Sequence, residues 1–324
     1  MRAVLCTEHG APESLVVADL PSPVVGAGQV KIRVRAAGVN FPDVLLVQGL
    51  YQLKPRLPFS PGLEIAGEII EVGAGVESSR LGERVMAILP YGGFAEEVVV
   101  PASAPLPLTD SMPDEVGAGF ALVYGTAHVA LVQRGRMQAG ETLLVLGAAG
   151  GVGLAAVELG SLLGARVIAA ASTDEKLALA QHYGATEGIN YSSESLRDRI
   201  IDLTEGRGAD VIFDPVGGDQ FDQAVRRIAW EGRYLVIGFA SGRIPALPAN
   251  IALLKNASLV GVYWGAYWEH DLAVAGDSIA QLQAWHAAGQ LHPHIQQSFT
   301  LDEADQALRM LMERRAQGKI VLTL

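Results

Sequence analysis

One cysteine, Cys6, stands in 324 residues. The chain therefore forms no internal disulfide and no zinc site built on several cysteines. Positive charge is also scarce: 24 Lys and Arg face 35 Asp and Glu, a formal net charge of −11. An acidic chain repels phosphate backbones, so nucleic acid is not expected as a partner, although local basic pockets remain open. The opening residues MRAVLCTEHG lack a basic segment followed by a long apolar run. No signal peptide is read, and a cytoplasmic protein is expected. The apolar stretch 143–171 carries Glu158, Arg166 and repeated glycine, which suits two short periodic segments better than a membrane span. Hydrophobic residues make up 50% and charged residues 18%, enough to fill the cores of two domains.

The pattern along the chain changes near residue 115. Before it, KIRVRAAGV (31–39), EIAGEIIEVGAGV (64–76), ERVMAIL (83–89) and FAEEVVVPAS (94–103) read as strands punctuated by Pro and Gly. After it, 116–135 suits one or two helices, and an alternation then begins. Strands are expected at 142–148, 166–172, 187–191, 209–216, 233–239 and 258–265, with helices at 151–163, 174–182, 196–203 and 219–229. Such alternation predicts an α/β fold with a doubly wound parallel sheet. The tail leaves that rhythm with a helix (277–288), a strand (295–301), a helix (303–315) and a strand (319–324). It is therefore expected to return to the first domain. The predicted boundaries are 1–122, 123–259 and 260–324.

LGAAGGVGLAAVELG (146–160) holds glycines at 147, 150, 151, 153 and 160 at the start of a helix. Glycine weakens a helix, so the cost needs a reason. Either the glycines only let two elements pack closely, or they clear the backbone for a ligand. Strand before, helix after and further βα units favour a dinucleotide pyrophosphate at the helix N-terminus. Gly147, Ala149, Gly150, Gly151, Val152 and Gly153 are the candidate contacts. An NAD site places Asp or Glu at the end of the second strand, where this sequence has Ala171 followed by Ser172. Ser172 and Lys176 can instead hold a 2′-phosphate, which points to NADPH. Ser172 also reads as a helix N-cap with Glu175 completing a capping box, and the two roles can coexist.

AAGVNFPDVLLVQGLY (36–51), PFSPGLEIAGEIIEVGAGV (58–76), YGTAHVAL (124–131), GAAGGVG (147–153), ASTDEKLALAQHYGA (171–185), FDPVGGDQF (213–221) and GKIVL (318–322) span nearly the whole chain. Together they resemble the medium-chain dehydrogenase/reductase superfamily, and within it the zinc-independent NADPH:quinone oxidoreductases of the zeta-crystallin-like branch. The resemblance implies a GroES-like, mostly-β catalytic domain beside a Rossmann domain. Zinc alcohol dehydrogenases of this superfamily place Cys where Asn40 stands and His where Leu63 stands. The resemblance thus implies no zinc and a substrate that is already electron-poor: a quinone or enone, with a 2-enoyl thioester as the alternative. An NADPH-binding protein with a structural or sensory role is the reading from another class.

By the same resemblance, Asn40, Asp43 and Thr126 lie near the nicotinamide and substrate. Asn40 also reads as a turn residue capping local backbone, and Thr126 as a cap at a helix start. Tyr191 is implied beside the 2′-phosphate. Val216, Phe239 and Ala240 sit at strand ends on the cofactor side, and Gly318 and Lys319 in the segment that returns to the cofactor. Phe41, Leu45, Leu63, Tyr91 and Trp264 are pocket candidates, with Tyr51, water or a cofactor ribose hydroxyl as proton donor. Some relatives carry Tyr at the Leu45 position, so an identical pocket is not implied. The ring-dense 262–270 suits either dimer packing or substrate contact, and a homodimer is implied. His292-Pro293-His294 reads as a polar turn rather than a metal pair, and His128 as a satisfied core residue.

Overall fold

The computed structural model describes all 324 residues. They fall into two units, Met1–Leu122 with Pro293–Leu324, and Val123–His292. No helix is long and apolar enough to cross a membrane.

The first unit is built on a seven-stranded sheet. Its long strand Gln29–Val39 pairs antiparallel with Glu64–Val72, Glu97–Pro101 and the last strand, Lys319–Thr323. The register sets Ile320 opposite Val39 and Ala37 opposite Ile65. Ile32, Val34, Ile65, Ile69 and Ile320 are buried in its core. Ile295–Thr300 runs parallel to the last strand. The short helix Phe41–Val47 follows the long strand directly.

The second unit holds six parallel strands in the order 187–190, 166–171, 142–146, 209–214, 228–236 and 258–261. By chain order that is 3-2-1-4-5-6, the doubly wound Rossmann arrangement. The apolar run Thr142–Leu146 is buried at every residue, as a central parallel strand with both faces covered must be. The strand order reverses between it and Ala209–Asp214. Loops at the carboxyl ends of these two strands flank the crevice where such sheets bind ligands.

Three expectations about elements are corrected. The helix expected at 219–229 ends at Ala224, and the fifth strand begins at Ile228. Positive φ at Glu231 (58°), followed by Gly232, marks an irregular start that hides the strand from a periodicity test. Phe239 and Ala240 consequently lie in the loop beyond that strand. The sixth strand stops at Gly261, and Trp264 opens the helix Trp264–His270. The return to the first unit comes at Pro293 rather than at 260. Helices Trp264–His270 and Leu272–Ala287 stay with the second unit because their side chains pack there. A Cβ on Gly125 would come 2.5 Å from the Trp264 ring, and His128 Nδ1 lies 3.1 Å from Ser278 Oγ.

Candidate active site

The glycine-rich turn closes the first Rossmann strand. Gly147 has φ of +60°, a conformation that favours glycine, and a Cβ there would come 3.0 Å from Val216. At Gly153 a Cβ would come 2.2 Å from the Gly147 carbonyl oxygen, and at Gly160 it would come 2.5 Å from Leu143. Those two glycines let the helix Gly151–Leu162 lie against its strand. Gly150 is different. It caps the helix with an ordinary extended backbone, φ −79° and ψ 169°. Its Cβ would approach nothing in the chain more closely than 3.4 Å.

Neighbouring loops gather along the same edge. The Ala148 N–H donates to Ala170 O, and Tyr191 N–H donates to Ala171 O. On the other side Ala240 N–H donates to Pro215 O. Val216 is fixed by Asp214, whose carboxylate accepts the N–H groups of Val216 (2.7 Å) and Gly217 (2.8 Å) and the Tyr234 hydroxyl (2.7 Å). Burial lifts the Asp214 pKa above the ordinary carboxylate value. Asp214 is missing from the candidates read in the sequence; the only signal for it was an acid ending an apolar strand before Pro-Val-Gly-Gly.

The helix after the second strand is capped by Thr173, not Ser172. The Thr173 hydroxyl accepts the Lys176 N–H at 3.3 Å, so Glu175 completes no capping box with Ser172. Ser172 and Lys176 are both half-buried at this helix start. Thr126 is the sixth residue of the helix Ala121–His128, which rules out the capping role considered for it.

In the first unit, three of the candidate positions and one acid outside that set form a buried polar cluster. Asn40, Asp43, Glu64 and Lys319 are each at most 6% exposed. The Lys319 ammonium donates to Glu64 Oε1 (2.7 Å), Asn40 Oδ1 (2.8 Å) and the Val39 carbonyl (3.1 Å). The Asn40 amide donates to Glu64 Oε1 (2.9 Å) and to Gly38 O (3.2 Å). Glu64 Oε2 accepts the Leu122 N–H at 3.1 Å. Gly38 makes room for this acid, since a Cβ there would come 2.5 Å from Glu64 Oε1. Asp43 accepts the N–H of Asn40 (2.8 Å) and of Gly62 (2.9 Å), pinning both ends of the intervening loop. Full burial raises its pKa to about 7, against those two bonds and the nearby Lys319 charge. Gly318, with φ of +77°, turns the chain into Lys319.

The expected pocket residues are spread through both units. Leu63 is buried in the first unit's core, and Tyr51 packs on its margin. Leu45 O accepts the N–H groups of Leu50 and Tyr51. Phe41 opens the short helix. Tyr91 is exposed and stands edge-on to Phe59 at 6.1 Å. Trp264 is 2% exposed against Gly125. His292 bonds Glu158 through its backbone N–H, and no group of three or more His, Cys, Asp or Glu is placed to hold a metal ion.

Comparison with known proteins bears on what this arrangement serves. Residues 26–110 match the alcohol dehydrogenase GroES-like domain, and residues 151–281 match the zinc-binding dehydrogenase family. A quinone oxidoreductase-like protein 2 homolog of Nematostella vectensis is 44% identical over 99% of this chain and 88% of its own length. The chain belongs to the quinone oxidoreductase branch of the medium-chain dehydrogenase/reductase superfamily. It is accordingly an oxidoreductase. The quinone oxidoreductase of Rattus norvegicus is 32% identical over 100% of this chain and 98% of its own. The solved quinone oxidoreductase of Thermus thermophilus, described also in complex with NADPH, superposes with a TM-score of 0.86 at 34% identity, covering 100% of both chains.

The family that matches residues 151–281 is described as zinc-binding, which makes the donor chemistry at the buried cluster informative. Asn40 presents an amide already bonded on both sides, Leu63 an aliphatic side chain, and Glu64 a carboxylate paired to an ammonium. These residues do not fit a zinc ion. The glycine turn does fit a dinucleotide: Gly150 leaves open space at a helix N-terminus whose N–H groups have no helical acceptor.

Proposed function

We propose that this oxidoreductase is an NADPH-dependent reductase that passes hydride to a quinone or an α,β-unsaturated carbonyl without zinc. The observation that carries this reading is Gly150: neither its backbone conformation nor its packing requires glycine. Bound NADPH supplies the hydride. The backbone of Gly147, Ala149, Gly150, Gly151, Val152 and Gly153 receives the pyrophosphate. Ser172, left out of the helix cap, and Lys176 receive the 2′-phosphate, with Tyr191 beside them. Val216, Phe239 and Ala240 continue the site along the sheet edge, and Thr126 contacts the nicotinamide.

Asn40 has both amide hydrogens engaged, so it serves the site by holding Glu64 and Lys319 in place rather than by donating to substrate. Asp43 holds the loop, and Gly318 delivers Lys319. Phe41, Leu45 and Tyr91 supply apolar surface on the first unit, while Leu63 and Trp264, both buried, pack within their own units. After hydride reaches a ring or β-carbon, Tyr51 or water gives a proton to the oxygen. The names of the relatives support the quinone class, and Ala171 in the acid position supports NADPH over NADH. A cytoplasmic homodimer accompanies this reading.

The test is NADPH oxidation against benzoquinone, phenanthrenequinone, an alkenal and crotonyl-CoA, with NADH in parallel. Turnover of quinones with NADPH is expected. Turnover of crotonyl-CoA alone would reassign the substrate to thioesters, and silence on every acceptor would favour a binding protein. Lys176→Ala is expected to weaken NADPH binding about tenfold, as loss of a charge-assisted contact should, and to leave NADH nearly unchanged. Equal losses for both would refute the phosphate assignment.

A further inference from the structure

Glu158 is a carboxylate on the glycine-turn helix with a role in neither the turn nor the buried cluster. It lies seven residues beyond Gly151, about 10 Å along the helix axis. Its side chain is 8% exposed. One oxygen accepts the Tyr124 hydroxyl at 2.5 Å, and the other accepts the His292 N–H at 2.7 Å. Burial raises its pKa above the ordinary value and drives that of Tyr124 well up. A cavity of about 320 Å³ opens beside it, with His182, Tyr183 and His292 in its wall.

What these bonds join is informative. Tyr124 is the second residue of the second unit, and His292 is the last residue before the chain leaves it. One carboxylate therefore fastens the second-unit ends of both crossings. Tyr124 also stands two residues before Thr126 in the helix Ala121–His128. That helix is gripped again at Gly125 by the Trp264 ring and at His128 by Ser278. The Glu158 bond is the grip that ties it to the helix of the glycine turn.

We propose that Glu158 is a positioning residue for the cofactor site, fixing the helix that carries Thr126 against the helix that opens at Gly151. The proposal rests on the reading of Gly150 and Thr126 as NADPH contacts. A helix is stiff over two turns, so a shift at Glu158 is carried to Gly151, and a shift at Tyr124 to Thr126. The buried acid explains itself this way: its two oxygens accept the Tyr124 hydroxyl and the His292 N–H, so neither oxygen is left without a donor.

Glu158→Gln keeps both contacts. The amide oxygen accepts the His292 N–H, and the amide hydrogen is donated to the Tyr124 oxygen. Glu158→Ala removes both, and Tyr124→Phe removes one with little change of shape. The experiment measures NADPH dissociation constants by fluorescence, and KM and kcat with benzoquinone, for these variants of the full chain. Glu158→Ala is expected to raise the NADPH dissociation constant and KM about tenfold or more, with benzoquinone KM unchanged, while Glu158→Gln stays within about threefold of the parent. Tyr124→Phe is expected to fall between them, and it carries the test if Glu158→Ala does not fold.

A lowered melting temperature with unchanged NADPH binding would overturn the proposal, as would a Gln variant no better than Ala. If the parent protein binds no NADPH, the functional reading fails instead. The fastening is then judged by amide hydrogen exchange of 121–128 and His292, which should quicken in Glu158→Ala and recover in Glu158→Gln. Unchanged exchange would overturn it.

Discussion

Lys319→Met is expected to destabilise the first unit by about 3–5 kcal/mol, the range for breaking one side of a buried ion pair. The structure explains why the effect falls at the large end of ordinary mutations. Glu64 is 1% exposed, and the ammonium is one of two side-chain donors to its Oε1. Methionine retains most of the lysine stem and removes all three donated bonds, leaving Val39 O and Asn40 Oδ1 without that donor. At a few degrees per kcal/mol for a unit of this size, the melting temperature should fall on the order of 10 °C. All four tryptophans, Trp230, Trp264, Trp268 and Trp285, lie in the second unit, so their fluorescence does not report this transition directly. Urea unfolding followed by far-ultraviolet circular dichroism does. Glu64→Gln combined with Lys319→Met should recover at least half of the loss, because no unpaired charge then remains buried. A single-variant cost below about 1 kcal/mol, or a double variant no better than the sum of its parts, would refute the reasoning.

The two kinds of glycine in the turn should separate. Gly153→Ala drives a methyl to 2.2 Å from the Gly147 carbonyl, so it should lower stability as well as NADPH binding. Gly150→Ala meets no closer contact than 3.4 Å, and should leave the melting temperature within a few degrees while weakening NADPH binding; equal thermal losses for both would show that Gly150 is there for packing. For Asp43, the raised pKa makes the folded state hold its proton more tightly than the unfolded chain. Its contribution is therefore most favourable below about pH 4, declines as pH rises to about 7, and is flat above, a change of about 4 kcal/mol for this group. Urea midpoints from pH 4 to 8 for the parent and Asp43→Asn should differ in slope across that window, and parallel curves would contradict the assignment.

The Rossmann alternation was legible because short apolar strand runs alternate with helix-length segments, with turn residues between them. Residues 143–146 and 167–171 are continuous apolar runs within Thr142–Leu146 and Arg166–Ala171, with turn residues on either side of the strands. The start of Ile228–Val236 was hidden by Trp230, which is 62% exposed, and by the irregular pair Glu231 and Gly232. Ser172 and Thr173 are adjacent hydroxyl residues before one helix, and local pattern does not choose between them as caps. The buried cluster was least legible of all. Lys319 meets Glu64 across 255 positions and Asn40 across 279. The only local hints were a charge opening each of two apolar strands, EIAGEIIEV and KIVLT. The Glu158 contacts have the same character, with 34 positions to Tyr124 and 134 to His292. Secondary structure follows from neighbours in sequence; pairing of buried charges follows from topology, and appears only once the strands have been put in order.

That distinction bears on the glycine-rich helix itself. A glycine inside a helix costs about 1 kcal/mol relative to alanine. At Gly153 and Gly160 the fold supplies the reason, since methyl groups there would collide with Gly147 and Leu143 and push the helix away from a strand buried on both faces. Lifting the helix to admit them would open voids along the entire contact, a larger loss than two helix propensities. At Gly147 the left-handed backbone supplies the reason. At Gly150 the fold supplies none. Its dihedral angles are available to any residue, its Cβ has room, and an N-cap is better stabilised by Ser, Thr, Asp or Asn. The chain therefore forgoes a better cap at a glycine its own packing does not require, and the space kept clear there lies outside the protein, at the N-terminus of the helix.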